Sequence, residues 1–114
     1  MAQLLVYSES NIKKEGSYSL KIVAAQTTSL NERLDHYLSP TFNLAGQTDI
    51  KFWTRASRTG SNFKLGFHDS GGTTTEVTPN ITSADTWQEV TLDISAVTDA
   101  NKDALNSIIL TITN

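Results

Sequence analysis

Cysteine is absent from the 114 residues. That absence removes disulfides, thiolate zinc sites and cysteine nucleophiles together, while leaving the compartment open. Positive charge is also scarce. Net charge is -3 and the basic residues are scattered, so the concentrated positive field that nucleic acid requires is missing. Long apolar runs are missing too: none approaches the ~20 residues of a membrane-spanning helix. No basic-then-apolar leader precedes Leu4. Met1, Ala2 and Gln3 run straight into it, the pattern of a chain cut from something longer.

What is present is a repeated two-residue rhythm. Ile50 and Phe52 alternate with Lys51 and Trp53, and Phe63, Leu65 and Phe67 alternate with Lys64, Gly66 and His68. Val90, Leu92 and Ile94 alternate with Glu89, Thr91 and Asp93, and Ile108, Leu110 and Ile112 close the chain in the same way. Successive side chains of a strand point to opposite faces, so each segment reads as a strand with one buried face. Hydrophobic residues make up 38% and charged residues 18%, which supports a packed core rather than a disordered chain. The length fits one domain, residues 1–114.

The strands read as 4–8, 17–23, 33–44, 48–57, 62–68, 73–78, 87–94 and 107–113, with turn signals about every ten residues. Pro40 interrupts the third and marks it as an edge or a bend. Tyr18, Leu20 and Ile22 share one face of the second. Arg58-Thr59-Gly60-Ser61 reads as a hairpin connection, and Asp69-Ser70-Gly71-Gly72 as a turn. One helical signal lies between Asp99 and Leu105, too short to stand alone. The expected fold is all-β: an antiparallel β-sandwich, or jelly roll, of about eight strands with one short helical turn.

Three stretches carry a family likeness: Glu15 to Ile22 (EGSYSLKI), Thr86 to Ser95 (TWQEVTLDIS) and Asp103 to Leu110 (DALNSIIL). Together they resemble jelly-roll carbohydrate-binding modules of the galactose-binding-domain-like group. In that group an early G-x-Y-S-L-K strand is followed by a late W-x-x-V-x-x-D-I-S strand, then an apolar strand after a short helical turn. The resemblance implies a secreted or extracellular accessory module, with phage virion proteins as the other setting of related domains. It also implies a structural Ca²⁺ held between the early turn and the late strand, at positions matching Glu9, Gly16, Ser17 and Asp93. Calcium needs about six to eight hard oxygens, which two carboxylates, carbonyls and water would supply. Such modules usually finish with a further strand; without it, a sheet edge is open to another copy, and a homo-oligomer is expected.

The candidate ligand site follows from the outward positions. Trp53 is the platform, with Arg55 beside it. If the 58–61 turn makes a hairpin, Lys64 and His68 lie next to them, Glu76 on the following strand joins, and Tyr37 reaches the same face. An aromatic plane ringed by donors and acceptors suits the apolar face and hydroxyls of a pyranose. Trp53 keeps three readings open: sugar contact, a subunit interface, or plain cover for the sheet with Arg55 or Lys64 stacked on the indole. Trp87 opens its strand and reads as packing. Catalysis is not expected. His68, Asp69 and Ser70 are adjacent near a strand end and point in different directions, and a triad is made by geometry, not by neighbours in sequence. The expected partner is a polysaccharide or glycan. The alternative is a structural assembly protein using the same face and the open edge against further copies.

Overall fold

The computed structural model describes residues 4–25 and 27–113; Met1–Gln3, where the sequence reads as cut, lie outside them. Eight strands run in order: β1 Leu4–Glu9, β2 Ser19–Ala24, β3 Asn31–Phe42, β4 Asp49–Arg55, β5 Phe63–Asp69, β6 Thr74–Val77, β7 Trp87–Asp93 and β8 Leu105–Thr113. A single 3-10 turn, Asp99–Asn101, precedes β8. The expected all-β antiparallel sandwich is therefore present, with a shorter helical turn than the sequence suggested.

One layer is a four-stranded sheet in the order β3-β8-β5-β6, and the other is the pair β4-β7. Their apolar faces meet. Phe67 of β5, Leu92 of β7, Leu105 of β8 and Ile94 form a buried cluster, joined by Leu38, Ile50, Phe52 and Val77. Alternation accounts for this directly. Ile50 and Phe52 stand opposite Leu92 and Val90, while Phe63, Leu65 and Phe67 stand opposite Ile112, Leu110 and Ile108. Residues paired across strands share a face. Pro40 lies within β3, where the pairing with β8 slips between Tyr37 and Phe42. Because β3 pairs only with β8, the missing N–H sits on an edge strand, where the ladder tolerates it.

A buried polar group ties the connection before β8 to the ends of the β4-β7 layer. Lys102, only 4% exposed, donates from Nζ to the carbonyls of Gln47 at 2.7 Å and Ile94 at 3.1 Å, with the exposed Asp99 carboxylate 3.9 Å away. Its backbone carbonyl accepts from the Leu44 N–H. The ammonium thus clamps the start of β4 to the end of β7. Lys102→Met keeps most of the stem but orphans both carbonyls. We expect a loss of about 2 kcal/mol and a fall in Tm of roughly 10 °C; an unchanged thermal transition would show that water satisfies them equally well.

Two expectations fail. Residues 58–61 do not make a hairpin between neighbours: β4 pairs only with β7 and β5 with β8 and β6. This connection crosses from one layer to the other, with Gly60 at φ +102° bridging to Ile81. The shared face of Tyr18, Leu20 and Ile22 is also not buried as a unit, since Tyr18 is 65% and Leu20 64% exposed. The reason is that β1 and β2 pair only with each other and join neither layer; β1 lies beside β3.

Candidate functional site

The change of layer at 58–61 splits the expected ligand site in two. Lys64, His68, Glu76 and Tyr37 share the outer face of the four-stranded sheet, in rows that run Tyr37–Ser107–His68–Thr74, Asp35–Ile109–Gly66–Glu76 and Arg33–Thr111–Lys64. There His68 Nδ1 lies 2.7 Å from Thr74 Oγ1, and Arg33 donates to Asp35 at 2.6 Å. Trp53 and Arg55 are on the outer face of the β4-β7 pair, the opposite side of the sandwich. One surface holding all six residues does not exist. The six were brought together by the hairpin assumption, and the crossover separates them.

Around Trp53 a different site forms. Residue parity places Lys51, Trp53 and Arg55 of β4 on one face with Trp87, Glu89 and Thr91 of β7, because Arg55 pairs with Trp87 and Trp53 with Glu89. The β1-β2 hairpin reaches this tryptophan through its loop. Its loop carries Lys14, whose Nζ sits 4.5 Å from the Trp53 ring centroid. Between the hairpin, β4 and the inner face of the four-stranded sheet runs an open groove of about 990 Å³. Its walls include Lys14, Trp53, Trp87 and Arg55 on one side and His36 and Ile108 on the other. Trp53 is 37% exposed, so part of the indole meets solvent.

Lys14 takes the stacking place that the sequence reading gave to Arg55 or Lys64. It was not foreseen, because the loop 10–18 has no periodicity to orient its side chains. Trp87 was legible: Val90, Leu92 and Ile94 point inward, so position 87 has outward parity. It was read as packing because it opens the strand, and it is in fact partly buried while lining the groove.

The two carboxylates that the resemblance assigns to calcium each have local partners. Glu9 Oε2 accepts from the Asn11 N–H at 3.1 Å, and Oε1 pairs with Lys21 at 3.8 Å. Asp93 Oδ1 accepts from both Oγ and N–H of Ser95, at 2.6 and 2.9 Å. Gly16 and Ser17 lie in the hairpin loop whose Lys14 touches Trp53, whereas Asp93 is four residues along β7 from Glu89, the partner of Trp53, a separation of about 13 Å along the strand. Among the described residues, no group of three or more His, Asp or Glu side chains is placed to hold a metal.

Asp93 does carry a pH signal. The Ser95 hydroxyl, then its N–H, hold the Asp93 carboxyl below the ordinary carboxylate range. A lowered folded-state pKa stabilises the fold above the ordinary carboxylate titration, and that contribution disappears as pH falls through the folded value. Ser95→Ala is expected to raise the Asp93 pKa, read by NMR titration of its carboxyl carbon; an unmoved titration would deny the hydroxyl this part.

His68 and Asp69 do not act together. His68 faces outward beside Thr74, whereas Asp69 is 1% exposed and accepts from the N–H groups of Gly71 at 2.8 Å and Ala104 at 3.0 Å. Both its oxygens are committed to the backbone.

Compared with known proteins, the chain matches no family model, no curated protein and no solved structure.

Proposed function

We propose that this protein is a non-catalytic carbohydrate-binding module whose site is the groove beside Trp53, rather than the outer face of the four-stranded sheet. The observation that carries this reading is the half-exposed indole at the wall of an open groove, with Trp87 diagonal to it and Lys51 and Arg55 on either side. A pyranose lays its C–H face on an aromatic plane while charged donors bind its hydroxyls. Such a site holds a sugar without reacting with it. On this reading the protein is an extracellular accessory module, or part of a virion, that brings something else to a polysaccharide.

Affinity electrophoresis against a panel of polysaccharides tests the reading. Retention on at least one polymer is expected, and Trp53→Ala should weaken it about tenfold or more, the order of a lost aromatic contact with its buried area. Retention unchanged by Trp53→Ala would remove the groove from the account.

A second reading has its own support. The hairpin exposes Leu5, Val6, Tyr7, Tyr18, Leu20 and Val23, and isolated two-stranded hairpins are marginal in water. Apart from the hairpin, an open, apolar recess of about 360 Å³ lies between the layers, walled by Phe42, Phe67 and Ile108. As a structural assembly protein, the chain would cover this surface with further copies. Light scattering decides: a single-copy mass at high micromolar concentration is incompatible with assembly, and a defined oligomer that Trp53→Ala alters would favour it.

A further inference from the structure

We infer that the groove beside Trp53 selects an anionic, carboxylate-bearing polysaccharide over a neutral one, an inference that rests on the carbohydrate-binding reading above. The first support is the distribution of charge. The protein is net negative, with nine basic and twelve acidic residues. Yet five of the nine, Lys14, Lys21, Lys51, Arg55 and Arg58, line the groove, against three of the twelve, Glu9, Glu15 and Asp85. Lys21 and Glu9 pair with each other. Among the described residues, no carboxylate lies within ion-pair distance of Lys14, Lys51 or Arg55. Glu89 stands opposite Trp53 on the same face, diagonal to Lys51 and Arg55, and the pair Asp49 and Asp93 follows beyond Lys51; none of these three acids lines the groove. A positive groove on an acidic body draws an anionic chain toward it and turns it away from the remaining surface.

The second support is the Lys14 ammonium on the indole face, 4.5 Å from the ring centroid. A sugar that stacks on that face must displace it. A neutral ring ends the cation–π attraction and returns only uncharged hydroxyl acceptors to the ammonium. A uronate ring takes the aromatic face and offers its carboxylate to the displaced Nζ, so the contact is exchanged for a charge-assisted one. Lys51 and Arg55, each two residues from Trp53 along β4, lie about 7 Å to either side and meet carboxylates of flanking rings. Lys14 thus discriminates between the two classes of ligand at the place where the ring stacks.

The test compares polygalacturonate, alginate and hyaluronate with the carboxyl-reduced, neutral form of each, using calorimetry and affinity electrophoresis, with polyglutamate as an anion that has no sugar. The inference expects at least one acidic polymer to bind about tenfold or more tightly than its reduced form, the order of one charge-assisted contact, with affinity falling as salt rises. Arg55→Glu should abolish the preference, whereas Arg33→Glu, the same charge change on the opposite sheet, should leave it. Lys14→Ala should narrow the gap by weakening the acidic polymer and strengthening the reduced one. Equal binding of an acidic polymer and its reduced form overturns the inference and leaves the carbohydrate reading standing. Equal binding of polyglutamate, or retention on none of the polymers, overturns both.

Discussion

Gly66→Ala is expected to be among the most damaging single substitutions in this protein, lowering Tm by more than about 10 °C. Gly66 is in the middle of β5, paired with Ile109 on one side and Glu76 on the other. Its backbone is not in the left-handed region, so conformational freedom is not the issue. Space is. A Cβ at this position would collide with the Thr75 carbonyl oxygen and come within 2.7 Å of the Glu76 Cα. Both are backbone atoms of β6, which cannot swing aside as a side-chain tip can. To admit one methyl, β6 must separate from β5, which costs about 3 kcal/mol or more. Thermal denaturation of the variant measures this; a transition within 2–3 °C of the parent, roughly half a kcal/mol, would mean that β6 yields easily. Gly46→Ala is a contrasting control: its Cβ meets nothing within 4 Å, and only its φ of +83° opposes the change.

Asp69→Ala is the second. The carboxylate is buried, and its two oxygens accept from Gly71 in the β5-β6 turn and from Ala104 just before β8. Backbone bonds run alongside, from Ser70 N–H to the Ala104 carbonyl and from Asp69 N–H to the Thr73 carbonyl. Removing the side chain leaves two partly buried N–H donors without acceptors at one junction, at about 1–3 kcal/mol for each unmet group. The expected loss is about 3 kcal/mol, a drop in Tm of roughly 15 °C. Asp69→Asn retains one acceptor oxygen and should fall between parent and alanine variant. Equal stability of all three would assign the junction to its backbone bonds alone.

Neither of these positions was visible in the sequence as critical. Gly66 looked like a small outward residue between Lys64 and His68, and Asp69 like the first residue of a polar turn. Alternation reports which face a side chain takes, and for β4, β5 and β7 it reported correctly: Phe52 and Phe67 are inward, Trp53 and His68 outward. In β8 it did not report burial, because Ile108 is 43% exposed where it borders the open groove while Ser107, Ile109 and Thr111 are buried. It carries no information about which strands lie side by side. A four-residue connection at 58–61 is long enough for a hairpin or for a step between layers, and sequence alone gave no ground for choosing. That one choice decided whether Trp53 and His68 share a surface. The candidate site was accordingly half legible. Trp53, Arg55 and the parity of Trp87 could be read from the period of two, but Lys14 arrives from an irregular loop whose course is set by tertiary contacts. The hairpin failed for a related reason: LLVYSE and SLKIVA are apolar enough to be strands, yet composition does not say that a strand will find a sheet to join.

The position of β8 in its sheet bears on how the chain is made. It is the last of the eight strands to leave the ribosome, yet it stands between β3 and β5 and holds them in one layer. Until it emerges, β3 has no ladder partner, and β5 has only the short strand β6. Their bare edges and apolar inner faces must wait until the chain has passed β8, and such surfaces attract other nascent chains. The fold therefore closes late and from the middle outward, so ribosome-bound intermediates ending before residue 105 should need a holding chaperone that the finished protein does not.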